Sequence, residues 1–250
     1  MLVLRRVLLA GLAVLGLSPP ARAAQTSVAV AANFTEAAKE IAAAFHTATG
    51  HEAVMSFGAS GPFYAQITHG APFQIMLSAD DARPLQLVKD GLGVEASRFT
   101  YAIGKLVLWS RDAGLVTGEA SLRDGQFAKL SIADPAAAPY GAAAIEALKA
   151  LKLYDALLPR IVMGATIAQA FQFVDTGNAE LGFIALSQLV GHAGGSRWLV
   201  PQSLYAPIRQ DAVLLKQGAD NPAATAFMDF LKGGSARAVI ARYGYEFDSK

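Results

Sequence analysis

The sequence contains no cysteine. This absence excludes disulfide bonds, thiolate metal sites, cysteine nucleophiles and a lipid anchor attached through a cysteine. Long apolar runs are scarce as well. The run from Val7 to Leu17 is too short to span a bilayer comfortably, and no other stretch is long and apolar enough to do so. We therefore expect neither a membrane span nor any chemistry that depends on a thiol.

A strong excess of one charge is also missing, since 21 basic residues face 20 acidic ones. Three of the basic residues and none of the acidic ones precede residue 24, so residues 24–250 carry 18 basic and 20 acidic side chains, a net charge of −2. A slightly acidic chain has no electrostatic footprint for nucleic acid or anionic membranes. Any anion that it binds must be held by local hydrogen-bond donors.

The N-terminus has the order of a secretory signal peptide. Arg5 and Arg6 precede the apolar run, and the small-residue site Ala21-Arg22-Ala23 follows it, which predicts cleavage after Ala23. The arginine pair lacks further twin-arginine context, which favours the general secretion route. Because an exported solute-handling protein is useful only when confined, we predict the periplasm of a Gram-negative cell. The 227 residues from 24 to 250 can form one large domain or two lobes.

Strands and helices alternate along the mature chain. Three β-α units in a row, beginning with SVAV, EAVMSF and QIML, imply a parallel sheet with right-handed crossovers. The segment 101–110, YAIGKLVLWS, has the pattern of one long strand that crosses to a second α/β series, and the segment 207–215 returns. We predict an α/β fold of two lobes with mainly parallel sheets. The signal peptide would be residues 1–23, the first lobe 24–103 with 209–250, and the second lobe 104–208.

Four strand-to-helix loops would face the cleft between the lobes, where ligands bind in such sheets. They lie around Asn33, Ser60, Tyr140 and Ile167, and they contain no lysine or arginine. The first N–H groups of a helix have no partner within it, so these loops could hold a fully ionised oxyanion. Asn33 is followed three residues later by Glu36, a capping signature. Helix capping is therefore the alternative role for Asn33 and Ser60, and packing for Tyr140 and Ile167.

A resemblance to a known family covers essentially the whole mature sequence. It rests on AANFTEA, SFGASGPFYAQI, GAPFQIMLSADD, FTYAIGKLVLWS, ADPAAAPYG and ELGFIAL, in this order and at this spacing. These stretches resemble the periplasmic molybdate-binding proteins of ABC-type importers. The resemblance implies the type II periplasmic-binding-protein fold, with a tetrahedral molybdate or tungstate in the interlobe cleft. It also implies an inner-membrane ABC permease as partner, no cofactor, no stable membrane insertion and, we expect, a monomer.

The resemblance also implies a set of neutral ligand contacts. They are the side chain and N–H of Asn33, the hydroxyl and N–H of Ser60, the backbone N–H groups of Tyr140 and Ile167, and the N–H of Ala32. Two positions depart from some members. One branch has a threonine ligand where this chain has Ala32, and other members place a tyrosine hydroxyl on the anion from the position of Ala185. Two side-chain donors found elsewhere in the family are thus absent.

Other functions remain open at this point. A hydrolase with Ser60 as nucleophile is the least favoured, because Pro62 stands where the G-x-S-x-G motif requires glycine. The four histidines lack metal-binding spacing, and Asp80-Asp81 is better explained as a turn and helix start. We therefore predict no enzyme. A carrier of sulfate, phosphate or ferric iron, or a sensor, could share the same fold. Ferric carriers of this architecture use tyrosine oxygens, and Tyr243 and Tyr245 lie in the C-terminal tail.

Overall fold

A computed structural model describes residues 23–248. Apart from its last residue, the predicted signal peptide lies outside the described residues. Residues 23–248 contain ten strands and nine α-helices. The strands are β1 (Gln25–Ala31), β2 (Glu52–Gly58), β3 (Ile75–Leu77), β4 (Phe99–Gly104), β5 (Leu106–Ser110), β6 (Leu130–Ala133), β7 (Ile161–Gly164), β8 (Leu181–Ala185), β9 (Ser196–Leu199) and β10 (Ile208–Leu214). The helices are α1 (Thr35–Thr49), α2 (Ser60–Thr68), α3 (Ala82–Lys89), α4 (Ala120–Asp124), α5 (Pro139–Ala150), α6 (Tyr154–Leu157), α7 (Ile167–Asp175), α8 (Pro222–Lys232) and α9 (Gly234–Arg242).

The strands form two five-stranded sheets with the orders β2-β1-β3-β10-β4 and β7-β6-β8-β5-β9. In the first sheet β1 runs parallel to β2 and β3, whereas β10 is antiparallel to both of its neighbours. In the second sheet β6 runs parallel to β7 and β8, whereas β5 is antiparallel to both of its neighbours. Four of the five strands in each sheet therefore point the same way. This confirms the prediction of an α/β fold with two lobes and mainly parallel sheets.

Both faces of the first sheet are covered, because alternate residues of its strands enter different apolar clusters. Val28 and Val30 pack with α1, α8 and α9, whereas Ala29 packs with α2 and α3 on the opposite face. Helix α1 ends at Thr49, before Gly50, whose φ of 72° is easy for glycine and strained for other residues. The C-terminal helices thus complete the lobe that the N-terminal strands begin.

The chain passes between the sheets after Gly104, and here one prediction is wrong. The segment 101–110 is not a single strand. It breaks at Lys105, so that β4 ends in the first sheet and β5 begins in the second. Gly104, the last residue of β4, lies against Tyr140 and Gln210 so closely that a Cβ would not fit there. Strand β9, which pairs with β5 at the edge of the second sheet, was not predicted.

The two lobes are in contact across the cleft. One apolar cluster contains Ala32 and Ala59 of the first lobe together with Tyr140 and Ile167 of the second. The structure is therefore that of closed lobes. Within residues 23–248, no helix combines the length and the apolar character needed to cross a membrane.

Candidate anion-binding site

Four helix starts enclose a small cavity between the lobes. Two belong to the first lobe, the 3-10 turn Ala32–Phe34 that precedes α1 and the start of α2, and two belong to the second lobe, the starts of α5 and α7. The cavity is small, with a volume of about 10 Å³. This lies far below the range of sites for drug-sized molecules and leaves room for a very small group only. All five residues named from the sequence line it: Ala32, Asn33, Ser60, Tyr140 and Ile167.

The lining of this cavity is electrically neutral. None of its eleven lining residues is lysine, arginine, aspartate or glutamate. Positive potential comes instead from the N-terminal ends of the helices, whose first-turn N–H groups have no partner within the helix. Such a lining stabilises an anion without a counter-ion, and it offers no carboxylate to accept a proton from the ligand.

Two larger grooves flank the cavity but differ from it in chemistry. One of about 210 Å³ contains Asp80, Arg83 and Arg209, and these side chains are already engaged in ion pairs. The other, of about 380 Å³, reaches from Asn33 to Asp175. Volume alone would favour the grooves. Only the small cavity has four helix starts and no charged lining residue, and we therefore take it as the candidate site.

Ser60 is the first residue of α2 and is almost fully buried. Its Oγ accepts a hydrogen bond from the N–H of Ala79 at 3.0 Å, so its own proton remains available for donation. The hydroxyl does not cap α2, which begins without a side-chain cap. The alternative role of helix capping is therefore wrong for Ser60. Its hydroxyl and its N–H are both donors at the cavity edge.

Asn33 does not cap a helix either. It lies inside the 3-10 turn, and neither this turn nor α1 has a side-chain cap, while Glu36 pairs with Lys39 on the surface. The side-chain Nδ2 of Asn33 instead donates to Gln210 Oε1 and to the Tyr245 hydroxyl, both at 2.9 Å. The capping signature thus correctly marks a helix start but assigns the wrong role to the amide, because tertiary partners outcompete the local one.

Tyr140 and Ile167 reach the cavity through their helix starts. Tyr140 follows Pro139, the first residue of α5, and Ile167 begins α7. Thr166 caps α7 by accepting the N–H of Gln169 at 3.1 Å, which leaves the N–H of Ile167 without a side-chain cap. Both side chains are buried, so the packing role considered for them is real, and it coexists with backbone groups at the cavity.

A buried polar layer lies directly behind the cavity. Gln210 of β10 bonds to Asn33 and donates from Nε2 to the Tyr140 hydroxyl at 3.2 Å, and Ser187 of the second lobe donates to the carbonyl of Asn33 at 2.8 Å. Burial raises the pKa of the Tyr140 and Tyr245 hydroxyls well above the ordinary value. These hydroxyls therefore stay protonated and neutral at physiological pH.

The sequence did not reveal this layer. Tyr245 stands out in the sequence only as a tyrosine of the C-terminal tail, and no motif marks Gln210 or Ser187. A polar residue within the apolar strand pattern of 207–215 was the one signal for Gln210. The partners of Asn33 lie 177 and 212 residues away along the chain, beyond the reach of any local pattern.

Two contacts bridge the lobes in front of the cavity. The N–H of Gly61 donates to the carbonyl of Ala137 at 2.9 Å, and Arg83 Nη2 donates to the carbonyl of Ala136 at 3.0 Å. Arg83 is held by an ion pair with Asp80, whose other oxygen accepts the N–H of Arg83. As predicted, Asp80 thus serves the start of a helix.

Ala32 and Ala185, where this chain departs from some family members, have different surroundings. Ala32 lines the cavity and offers only its backbone there. Ala185 ends β8, is fully buried, and donates its N–H to Gln188 Oε1 at 2.9 Å. Gln188 in turn donates to the carbonyl of Ile167 at 3.1 Å. The strand exit at Ala185 therefore supports the start of α7 rather than the cavity itself.

The geometry gives no support to metal or nucleophile chemistry. Among residues 23–248, no group of three or more histidine, aspartate or glutamate side chains is arranged to hold a metal ion. The cavity lining contains no histidine or carboxylate that could act as a base for Ser60. What the site can do is donate hydrogen bonds to an enclosed anion.

Two α/β lobes closed on a cavity lined by helix starts define a two-lobed solute-binding protein with the type II periplasmic-binding-protein fold. The family model for bacterial extracellular solute-binding proteins matches residues 26–246, and the chain belongs to this family.

Similar proteins are named for molybdate. The molybdate-binding protein ModA of Rhodobacter capsulatus is 53% identical over 232 residues, 93% of this chain and 92% of that protein. ModA of Azotobacter vinelandii is 56% identical over 229 residues, 90% of this chain and 91% of that protein. The solved structure of the Azotobacter vinelandii periplasmic molybdate-binding protein has a TM-score of 0.87 at 40% identity, covering 90% of this chain and all of that one. These relatives are binding proteins, and this chain is not an enzyme.

Proposed function

We propose that this protein captures molybdate, and tungstate, in the neutral cavity between its lobes and delivers the anion to an ABC-type permease. The observation that carries the proposal is the convergence of four helix starts on a cavity with no charged lining residue. Relatives that are 53% and 56% identical and named as molybdate-binding proteins support the choice of ligand. The protein would act as a monomer in the periplasm after removal of residues 1–23.

Each lobe would supply about half of the donors. The first lobe, residues 24–103 and 209–250, contributes the Ser60 hydroxyl and N–H and the groups of Ala32 and Asn33. The second lobe, residues 104–208, contributes the N–H groups of Tyr140 and Ile167. Neither half alone surrounds a tetrahedral anion, so binding and lobe closure are one event. Closure removes water from the anion, which strengthens each hydrogen bond to it.

Selectivity for molybdate over sulfate cannot come from charge, because both are tetrahedral dianions. It would come from size: a smaller anion in a cavity fixed by closed lobes leaves some donors unsatisfied, at a cost of about 1–3 kcal/mol each. Phosphate carries a proton near neutral pH and needs an acceptor, and the cavity lining has no carboxylate to provide one. These arguments favour a molybdate carrier over a carrier of sulfate or phosphate.

Calorimetry on the mature protein tests the proposal. We expect 1:1 binding of molybdate and tungstate, with sulfate and phosphate at least 100-fold weaker. Replacing Ser60 by alanine should weaken molybdate binding at least tenfold, since a hydrogen bond to a charged group contributes about 1.5–3 kcal/mol. The exposed Ser203→Ala variant is the matched control and should bind like wild type. Sulfate binding as tight as molybdate binding would contradict size selection, and absence of molybdate binding would overturn the proposal.

A further inference from the structure

Two side-chain amides face each other in the buried layer behind the cavity. Asn33 is 4% exposed and Gln210 is fully buried. Asn33 Nδ2 donates to Gln210 Oε1 at 2.9 Å, and Gln210 Nε2 donates onward to the Tyr140 hydroxyl at 3.2 Å. Gln210 therefore connects a cavity residue of the first lobe to one of the second, although it does not line the cavity itself.

The observed orientation of this pair leaves polar atoms without partners. Asn33 Oδ1 is buried and has no hydrogen-bond partner among the described residues. Since Nδ2 is turned to Gln210 and Tyr245, neither of which lines the cavity, the amide oxygen is the side-chain atom on the cavity side. An oxygen there repels an anion. In this orientation the asparagine opposes the proposed ligand.

Rotating both amides by 180° removes the conflict, because oxygen and nitrogen exchange places while the distances between heavy atoms are kept. Gln210 Nε2 then donates to Asn33 Oδ1 across the same 2.9 Å, and the Tyr140 hydroxyl donates to Gln210 Oε1 across the same 3.2 Å. Asn33 Nδ2 turns to the cavity as a donor.

The neighbouring tyrosines tolerate the rotation to different extents. The Tyr101 hydroxyl contacts the Gln210 amide and also donates to the carbonyl of Ser78 at 3.0 Å. It keeps the Ser78 acceptor in both orientations, so it can lie against either the oxygen or the nitrogen of Gln210.

The Tyr245 hydroxyl now accepts from Nδ2 and donates to the carbonyl of Asn33 at 2.8 Å. After the rotation it would donate to Oδ1, and that carbonyl would keep the Ser187 hydroxyl as its donor. Toward Gln210, only Tyr140 changes from acceptor to donor. Tyr245 belongs to the first lobe, so the Tyr140 hydroxyl is the group through which the second lobe can favour one orientation of the pair.

We propose that Gln210 is a positioning residue for the anion site, and that Asn33 and Gln210 rotate together when the anion binds. The proposal rests on the proposed function, because the anion is what selects the orientation with Nδ2 in the cavity. The Tyr140 hydroxyl stabilises that orientation when the lobes are closed. Through Gln210, the orientation of the Asn33 amide, and so its ability to donate to the anion, depends on the position of the second lobe.

Two matched variants, Tyr140→Phe and Tyr101→Phe, test the proposal by calorimetry with sodium molybdate. Each removes one buried hydroxyl that contacts Gln210. We expect Tyr140→Phe to weaken binding three- to tenfold and Tyr101→Phe to change it by less than twofold. Denaturant unfolding of the ligand-free proteins serves as the control, since a purely structural role would lower stability and leave affinity unchanged. Equal affinities for the two variants would overturn the proposal.

The Gln210→Met variant provides a second, independent readout. Because the Tyr140 hydroxyl acts only through Gln210, adding Tyr140→Phe to Gln210→Met should cause no further loss of affinity; a full additional loss would contradict the proposal. If Gln210→Met fails to fold, the side-chain amide resonances of wild-type protein suffice. Those of Asn33 and Gln210 should shift together in proportion to bound molybdate, and a Gln210 signal that stays unmoved would overturn the coupling. Wild-type protein that does not bind molybdate would refute the proposed function instead.

Discussion

The hydroxyl of Tyr140 occupies the space that a side chain at Gly104 would need. A Cβ at position 104 would lie 2.0 Å from the hydroxyl oxygen, a distance that real Cβ atoms do not adopt. Gly104 ends β4, where the chain leaves the first sheet, and Tyr140 lies in the first turn of α5 in the second lobe. The backbone between the lobes and a wall of the anion site are therefore packed directly against each other.

This contact predicts that Gly104→Ala weakens anion binding. The added methyl group must displace the Tyr140 ring or the nearby Gln210 amide, whose Nε2 lies 2.7 Å from the Cβ position. Overpacking of this kind costs about 1–3 kcal/mol. Here it would destabilise the form with closed lobes, in which Tyr140 lies against Gly104. We expect at least a fivefold loss of molybdate affinity by calorimetry, since about 1.4 kcal/mol corresponds to a factor of ten.

Gly234→Ala is the control for the previous substitution. Gly234 begins α9, and a Cβ there would meet no atom within 4 Å. We expect affinity within twofold of wild type. Equal effects of the two substitutions would show that the Gly104–Tyr140 contact does not control the site.

The bridge from Arg83 to the carbonyl of Ala136 predicts an effect on ligand release. Arg83 lies in the first lobe and its acceptor in the second, so the bond exists only while the lobes are closed. Its loss in Arg83→Ala should speed molybdate dissociation about two- to tenfold, the equivalent of one net hydrogen bond of about 0.5–1.5 kcal/mol. Stopped-flow displacement of molybdate measures the rate. Arg242→Ala, which breaks an exposed ion pair with Glu40 inside the first lobe, should leave it unchanged.

The sequence was informative wherever structure follows from local pattern. Strand-to-helix alternation correctly located the helix starts at the cavity, because an apolar strand, a small residue and a polar turn make a local signal. The pattern also predicts the loops around Asn33, Ser60, Tyr140 and Ile167, whereas Ala32 and the ligand contacts are implied by the resemblance. The structure places all five residues along one cavity.

The failures share one physical cause, which is competition from tertiary contacts. The pattern of 101–110 is continuous in hydrophobicity, whereas its two halves pair with different distant strands, β4 with β10 and β5 with β8 and β9. Asn33 has the local sequence of a helix cap, yet its side-chain amide donates to Gln210 and Tyr245, which lie near the other end of the chain. Local patterns report which face is buried, and they do not report which distant residue is buried against it.

The neutral site predicts that binding depends little on pH. Burial, the largest cause, raises the pKa of Tyr101, Tyr140 and Tyr245 above the ordinary value of 10.0, so these hydroxyls remain protonated in the folded protein. We expect molybdate affinity to vary by less than twofold between about pH 6 and 9. Calorimetry at three pH values checks this, and a steep dependence would show that a charged group takes part in binding.

The same tyrosines predict loss of stability in alkali. Their folded-state pKa values are raised, so their contribution to the free energy of unfolding is fully present below about pH 10. It is lost as the pH rises above that value, because the unfolded chain then releases protons that the folded chain retains. Denaturant melts at about pH 9, 10 and 11 should show the decline. The Tyr101→Phe variant, which has one such group fewer, should show a shallower one.

Ala32 offers a gain-of-function prediction. It lines the cavity, and its backbone groups are the only hydrogen-bonding groups it has, at the position where one branch of the resembling family has a threonine. A threonine here would add a hydroxyl donor beside Asn33, and we expect Ala32→Thr to tighten molybdate binding about three- to tenfold, in line with one added net hydrogen bond. Calorimetry measures the change.

Ala32→Val separates the hydroxyl from its bulk, since valine has nearly the shape of threonine without the donor. Position 32 is 8% exposed, so both side chains meet the same closely packed surroundings. We expect valine to weaken binding, because its side chain takes up cavity volume and offers the anion no hydrogen-bond donor. If valine and threonine have the same effect, the added volume decides the outcome, and the hydroxyl at position 32 does not reach the anion.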